Sequence, residues 1–102
     1  MANVGIMGAG SWGTALALLL HKNGHQVTVW SISEEEVEML STKREHESKL
    51  PGVRIPDDME FTSDLAKAVK DKDFIVMAVP SPFTRSTAKS MSPYIPEGQI
   101  IV

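Results

Sequence analysis

Three glycines near the amino terminus have the spacing needed to hold a phosphate group. Gly8, Gly10 and Gly13 form a G-x-G-x-x-G pattern that follows a short apolar run and opens an alanine- and leucine-rich segment. In such a strand–turn–helix unit the first glycine permits a sharp turn, the second lets the backbone approach a pyrophosphate, and the third lets the helix lie close to the strand. Unpaired N–H groups at the helix start also favour an anion. The pattern therefore predicts a dinucleotide site.

Two residues inside the motif have side chains that could take part. Ser11 could donate a hydrogen bond to a phosphate or simply cap the helix, and both roles are compatible. Trp12 could stack near a bound cofactor or pack on the neighbouring strand end. His21 and His25 have a spacing that would suit a metal only on a continuous helix, and Gly24 interrupts that helix. We expect no metal site there.

Alternating strand and helix patterns must position these residues. We predict strands at residues 4–7, 26–30, 61–62, 74–79 and 99–102. We predict helices at residues 11–23, 34–42, 64–70 and 83–91. This alternation is typical of an α/β fold with a doubly wound, mainly parallel sheet of Rossmann type. With the first strand placed between the second and the apolar, central 74–79 strand, the ligand crevice lies over the glycine turn and the Pro80-Ser81 turn.

Length and composition limit the classes of protein that the chain can represent. Its 102 residues suffice for one domain, and the mixed charges with a net charge of −3 argue against nucleic acid as a partner. No apolar run reaches the roughly 18 residues of a membrane span. The absence of cysteine and of a signal-peptide pattern fits the cytoplasm. Because the last residues read as an apolar strand, we expect an amino-terminal, incomplete portion of a longer sheet that self-associates as a homo-oligomer.

Three strings together resemble one enzyme family. They are GAGSWGTALA at residues 8–17, LPGV at residues 50–53 and AVPS at residues 78–81. Over its whole length the chain is similar to the amino-terminal domain of bacterial-type NAD(P)-dependent glycerol-3-phosphate dehydrogenase. The resemblance implies that residues 1–102 are an NAD(P)-binding Rossmann domain, truncated before its last strands and without the helical substrate domain. It implies an oxidoreductase that interconverts dihydroxyacetone phosphate and sn-glycerol 3-phosphate for phospholipid synthesis.

The same resemblance implies most of the residues that border the cofactor, and Ser31 joins them because its hydroxyl follows the second strand. The predicted cofactor-binding residues are Gly8, Gly10, Ser11, Trp12, Gly13, Ser31, Ile32, Pro80, Ser81 and Phe83. No catalytic residue is implied within the chain, because the family's catalytic and substrate-phosphate residues lie beyond residue 102, so we expect the chain alone to bind but not to catalyse. The chain departs from the family at Lys49, where an aromatic residue is common, and at Ile32, which is often basic.

The choice between NAD and NADP stays open at this point. An acid after the second strand would bind the ribose 2′-hydroxyl of NAD, and an arginine would accommodate the 2′-phosphate of NADP. Ser31, Ile32 and Ser33 provide neither, although residues 34–36 are glutamates that disfavour a phosphate and the serine hydroxyls could bind one. Two other functions also remain: another NAD(P)-dependent hydroxyacid or sugar-nucleotide dehydrogenase, or a non-catalytic NAD(H)-sensing module.

Overall fold

The described part of the chain alternates strands and helices from its first strand to its last. A computed structural model describes residues 2–44, 55–56, 58–79, 81–95 and 100–101. The strands are β1 (Asn3–Met7), β2 (Gln26–Trp30), β3 (Glu60–Thr62), β4 (Phe74–Met77) and β5 (Ile100–Ile101). The helices are α1 (Ser11–Lys22), α2 (Glu34–Lys43), α3 (Leu65–Val69) and α4 (Ser81–Met91), followed by a single 3-10 turn at Ser92–Tyr94.

The five strands form one parallel sheet in the order β3-β2-β1-β4-β5. Ile6 of β1 lies opposite Val29 on one side and Val76 on the other. The chain order therefore reverses on the two sides of β1, which confirms the predicted neighbours of the first strand. The middle strand of the sheet is β1 itself, whereas β4, predicted as central, lies one position away from it.

Helices cover both faces of the sheet, as a doubly wound fold requires. Successive side chains of a strand point to opposite faces, and the buried apolar residues accordingly separate into two clusters. The cluster under α1 and α2 contains Val4, Ile6, Ala9, Ala17, Val27, Val29, Leu40, Ile55, Met59 and Phe61. The cluster under α3 and α4 contains Met7, Trp30, Ala68, Val69, Ile75 and Met91. The central strands of the sheet are thus covered on both sides.

Two predicted boundaries were wrong by two residues each. The strand predicted at residues 74–79 ends at Met77, because its ladder partner β1 ends at Met7, which lies directly opposite. The helix predicted from residue 83 begins at Ser81. Proline is compatible with the first turn of a helix, where its missing N–H would have no intrahelical partner, so the Pro-Ser-Pro run does not delay this helix. Lys49, where the chain departs from the family, and the LPGV string at residues 50–53 lie outside the described residues.

Candidate functional site

The turn after β1 is shaped by Gly8, which has a φ of +124°. A Cβ at this position would lie 2.8 Å from the carbonyl carbon and oxygen of Ala78, just beyond β4. The N–H of Gly8 donates to the carbonyl oxygen of Trp30 at 2.9 Å. The turn is therefore held between the ends of β2 and β4, and both the backbone angle and the close approach require glycine.

Helix α1 lies directly against this turn. A Cβ at Gly13 would overlap the carbonyl oxygen of Gly8. The next residue, Thr14, is fully buried, and its hydroxyl donates to the carbonyl oxygen of Ala9 at 3.1 Å. The hydroxyl thus ties the helix to the turn. This role of Thr14 was not predicted, although its position directly after the third glycine indicated that it lies close to the turn.

Gly10 differs from the other two glycines because the space around it is open. It is the N-cap of α1, and no atom of the described residues lies within 4 Å of where its Cβ would be. No side chain caps this helix, and its first turn contains no acidic residue. The first N–H groups of a helix have no intrahelical acceptor, so here they face a space that any larger residue would partly fill. A diphosphate fits this arrangement in both charge and room.

Two large apolar side chains are exposed at the same edge of the sheet. Trp12, in the first turn of α1, is 63% exposed, and Ile32, two residues after β2, is 85% exposed. The carboxyl ends of parallel strands meet at one edge, which in open α/β sheets is where ligands bind. These side chains therefore offer apolar surface beside the glycine turn, at positions predicted from the sequence.

The end of β2 carries a hydrogen-bonded cluster that ties it to α2. Ser31 is buried, and its hydroxyl donates to Oε1 of Glu36 at 2.6 Å and accepts from the N–H of Ser33 at 3.2 Å. The hydroxyl of Ser33 in turn caps α2 by accepting from the N–H of Glu36, also at 3.2 Å. A carboxylate therefore lies at the end of the second strand, although residues 31–33 contain no acid. Glu36 was not among the predicted site residues.

The residues predicted after β4 are only partly described. The N–H of Ala78 donates to the carbonyl oxygen of Met7 at 2.9 Å, which holds the end of β4 beside the glycine turn. Ser81 and Phe83 lie in the first turn of α4, at the same edge of the sheet as Gly8. Pro80 lies outside the described residues.

The two histidines make separate contacts away from this edge. His21 lies 2.7 Å from Asp58, measured from Nε2 to Oδ1, and this hydrogen bond lowers the pKa of Asp58 below its usual 3.8. Nδ1 of His25 accepts from the N–H of Ala2 at 3.0 Å. Across the residues that the structure describes, no group of three or more histidine, cysteine, aspartate or glutamate residues could hold a metal ion. Within the same ranges, no helix is long and apolar enough to cross a membrane.

Comparison with known proteins places this geometry in a family. Residues 3–102 match the family model described as the N-terminus of NAD-dependent glycerol-3-phosphate dehydrogenase. The whole chain is 60% identical to a glycerol-3-phosphate dehydrogenase (NAD(P)+) of Agathobacter rectalis and 53% identical to one of Lactobacillus delbrueckii subsp. bulgaricus. The chain spans 30% of the length of each of these relatives.

A solved structure has the same fold over the same part of the chain. The crystal structure of glycerol-3-phosphate dehydrogenase from Coxiella burnetii superposes with a TM-score of 0.92 at 31% identity. That superposition covers 98% of this chain and 31% of the other. The predicted fold class and the resemblance drawn from the sequence are both confirmed.

Proposed function

Because the chain belongs to the family of NAD-dependent glycerol-3-phosphate dehydrogenases, we propose that it is the dinucleotide-binding domain of such an enzyme. In this proposal, residues 1–102 form the first part of an NAD(P)-binding Rossmann domain. The parent protein interconverts dihydroxyacetone phosphate and sn-glycerol 3-phosphate, in the cytoplasm, as a step toward phospholipids. The chain spans 30% of the length of its Agathobacter rectalis relative, and in this proposal the substrate-binding and catalytic groups belong to the remaining length.

The open start of α1 is the observation that carries the proposal. Gly10 leaves space above an uncapped helix start without acidic residues. A diphosphate there would gain hydrogen bonds from the first-turn N–H groups and about 0.3–2 kcal/mol from the helix dipole. Gly8 and Gly13 hold the turn and the helix in place for this contact.

We assign the other predicted residues to the parts of the cofactor that extend from this diphosphate. Trp12 and Ser11 border the diphosphate and the adjoining ribose, Ser31 and Ile32 border the adenosine, and the start of α4 forms the opposite wall. The residues of that wall are Pro80, Ser81 and Phe83. When bound, the nicotinamide supplies or accepts the hydride. The residues of this chain bind the cofactor, orient it and cover it with apolar surface at Trp12 and Ile32.

We also propose that the protein is a homo-oligomer and that the 102-residue chain by itself associates through the β5 side of the sheet. Ile101 of β5 is 47% exposed and borders an apolar cavity of about 410 Å³. Met77, Met91 and Ile95 also line this cavity. Exposed strand edges with apolar surface favour pairing between chains. Sedimentation of the chain should show dimers or larger species, and a monomer at all concentrations would contradict the proposed association.

An activity assay on the full-length protein tests the proposed function. We expect NADH or NADPH to be oxidised in the presence of dihydroxyacetone phosphate, as followed by the absorbance of the reduced cofactor. Turnover of a hydroxyacid or a sugar nucleotide in its place would favour another dehydrogenase. Cofactor binding without turnover of any of these substrates would favour a sensing module. The Gly10→Ala protein is the matched control, since it should lose activity through cofactor binding alone.

A further inference from the structure

We propose that Glu36 makes this site selective for NAD(H) over NADP(H). This inference rests on the proposed function and concerns the adenosine end of the same dinucleotide site. In it, the carboxylate of Glu36 accepts a hydrogen bond from the adenosine ribose 2′-hydroxyl. The same carboxylate repels the phosphate that NADP(H) carries at that position.

The Glu36 carboxylate lies where the adenosine ribose is expected. The carboxylate of Glu36 contacts Ser31, the first residue after β2, at 2.6 Å. The preceding residue, Trp30, accepts a hydrogen bond from Gly8 in the glycine turn. In this fold the adenosine ribose lies next to the diphosphate, and an acid at the end of the second strand binds its 2′-hydroxyl. Glu36 comes from a helix, yet the fold brings its carboxylate to that place.

The Ser31 hydroxyl has no proton left for a phosphate. Ser31 was one of two hydroxyls that could have bound a 2′-phosphate, but a serine has a single O–H proton. Ser31 gives this proton to Glu36 and is itself buried. A phosphate oxygen would therefore meet an acceptor at this point instead of a donor. A ribose hydroxyl, which can donate, suits the same carboxylate, since a carboxylate accepts several hydrogen bonds.

The start of α2 is negatively charged. The first turn of α2 contains Glu34, Glu35 and Glu36, and residues 31–36 include no lysine or arginine. The next basic residues along the chain, Lys43 at the end of α2 and its C-cap Arg44, lie seven and eight residues beyond Glu36, a rise of about 10–12 Å at 1.5 Å per residue.

Arg44 is also held in place at that far end. Its guanidinium donates to the carbonyl oxygens of Pro56 and Met59, at 3.2 and 2.6 Å, and lies over the ring of Phe61. Together with the distance along α2, these contacts keep the guanidinium away from the end of β2. A 2′-phosphate at the end of β2 would therefore face carboxylates without a nearby arginine among the described residues.

Cofactor titrations of the full-length protein test the inference. We expect NADH to bind at least about tenfold more tightly than NADPH, as one hydrogen bond to a charged group implies. Glu36→Gln removes the charge and should reduce this preference by about fivefold or more, because a charged partner roughly doubles the strength of a hydrogen bond and the repulsion is lost as well. Glu35→Gln removes the same charge one residue away and should leave the ratio within about twofold, as expected for an exposed site.

If Glu36 had a purely structural role, Glu36→Gln would weaken the binding of both cofactors equally. The ratio of the two dissociation constants is therefore the decisive quantity. Equal affinities in the unmodified protein, or an unchanged ratio in Glu36→Gln, would overturn the inference. If Glu36→Gln does not fold, Glu36→Asp replaces it: keeping the charge but shortening the reach should weaken NADH without improving NADPH, and an unchanged NADH affinity would overturn the inference. Failure to bind either cofactor would overturn the proposed function as well.

Discussion

The starts of α1 and α2 lie at the same edge of the sheet and are built in opposite ways. Helix α1 begins at a glycine without a side-chain cap and has no acid in its first turn. Helix α2 is capped by the Ser33 hydroxyl and carries three glutamates in its first turn. Both helices follow neighbouring parallel strands, so their first N–H groups have similar settings in the fold.

The difference between these two helix starts indicates how one edge of a sheet can bind one phosphate group and repel another. At α1 the backbone N–H groups are left to an external acceptor, and glycine keeps the approach open. At α2 the Ser33 hydroxyl accepts a hydrogen bond from one of the first N–H groups, and the carboxylates lie at the positive end of the helix dipole. The contrast thus matches a cofactor that has its diphosphate at α1 and carries no phosphate on the 2′ position of the adenosine ribose. Substitutions at the two helix starts test this contrast.

Gly8→Ala should have the largest effect on stability. The φ of +124° and the 2.8 Å approach to the Ala78 carbonyl group lead us to expect a loss of about 3 kcal/mol or more in the free energy of unfolding. The turn that precedes α1 would then shift, and the contrast with α2 would be lost. Denaturant unfolding followed by circular dichroism measures this effect. A change below about 1 kcal/mol, the size of a common point mutation, would contradict the assigned role of Gly8.

Gly10→Ala should separate binding from folding at the same turn. Within the part of the chain that the structure describes, no atom lies near its Cβ position, and a φ of −69° with a ψ of −174° suits an alanine. The weaker N-cap preference of alanine and its smaller unfolded-state entropy nearly offset each other, so stability should change by less than about 1 kcal/mol. The added methyl group should weaken NADH binding by about tenfold or more. Calorimetric titration of the full-length protein checks this, and unchanged affinity would place the diphosphate elsewhere.

Ser33→Ala tests the capped helix start. We expect a loss of about 1 kcal/mol in the free energy of unfolding, because the Glu36 N–H loses its acceptor. The affinity for NADH should change by less than about twofold, because the Glu36 carboxylate and the backbone N–H of residue 33 keep their contacts with Ser31. Parallel unfolding and titration experiments with Gly10→Ala provide the matched comparison. The two variants would contradict the account if Ser33→Ala weakened binding more than Gly10→Ala.

Asp58→Asn should have the smallest effect, and only as a function of pH. The hydrogen bond with His21 lowers the pKa of Asp58 in the folded chain relative to the usual 3.8. The contact therefore contributes stability above that value and loses it as the pH falls through the lower folded pKa. We expect the stability difference between the unmodified chain and the variant to shrink as the pH falls below 3.8, in urea unfolding experiments. A difference that grows toward low pH would contradict this assignment.

The fold was largely predictable because its determinants are local in the sequence. The apolar runs and the helix interruption at Gly24 indicated most of the helices and strands that the structure contains. The glycine motif also indicated the position of the turn, since backbone requirements for glycine appear directly in the sequence. The boundaries around β4 and α4 were less predictable, because the length of β1 determines where β4 ends.

The selectivity of the site was much less predictable than its position. Glu36 lies five residues after Ser31, and as part of a run of glutamates it reads as an ordinary solvated helix start. The turn between β2 and α2, in which the Ser33 N–H donates to the Ser31 hydroxyl, brings this carboxylate to Ser31. Backbone-built features thus appear as motifs, whereas this side-chain contact depends on how two elements meet in space.

A crystal structure of the full-length protein with NADH bound is the most direct test of the contrast between α1 and α2. We predict diphosphate oxygens within about 2.7–3.2 Å of the first N–H nitrogens of α1. We also predict the adenosine ribose 2′-hydroxyl at hydrogen-bond distance from the carboxylate of Glu36. A diphosphate bound away from Gly10, or a ribose turned away from α2, would contradict the account.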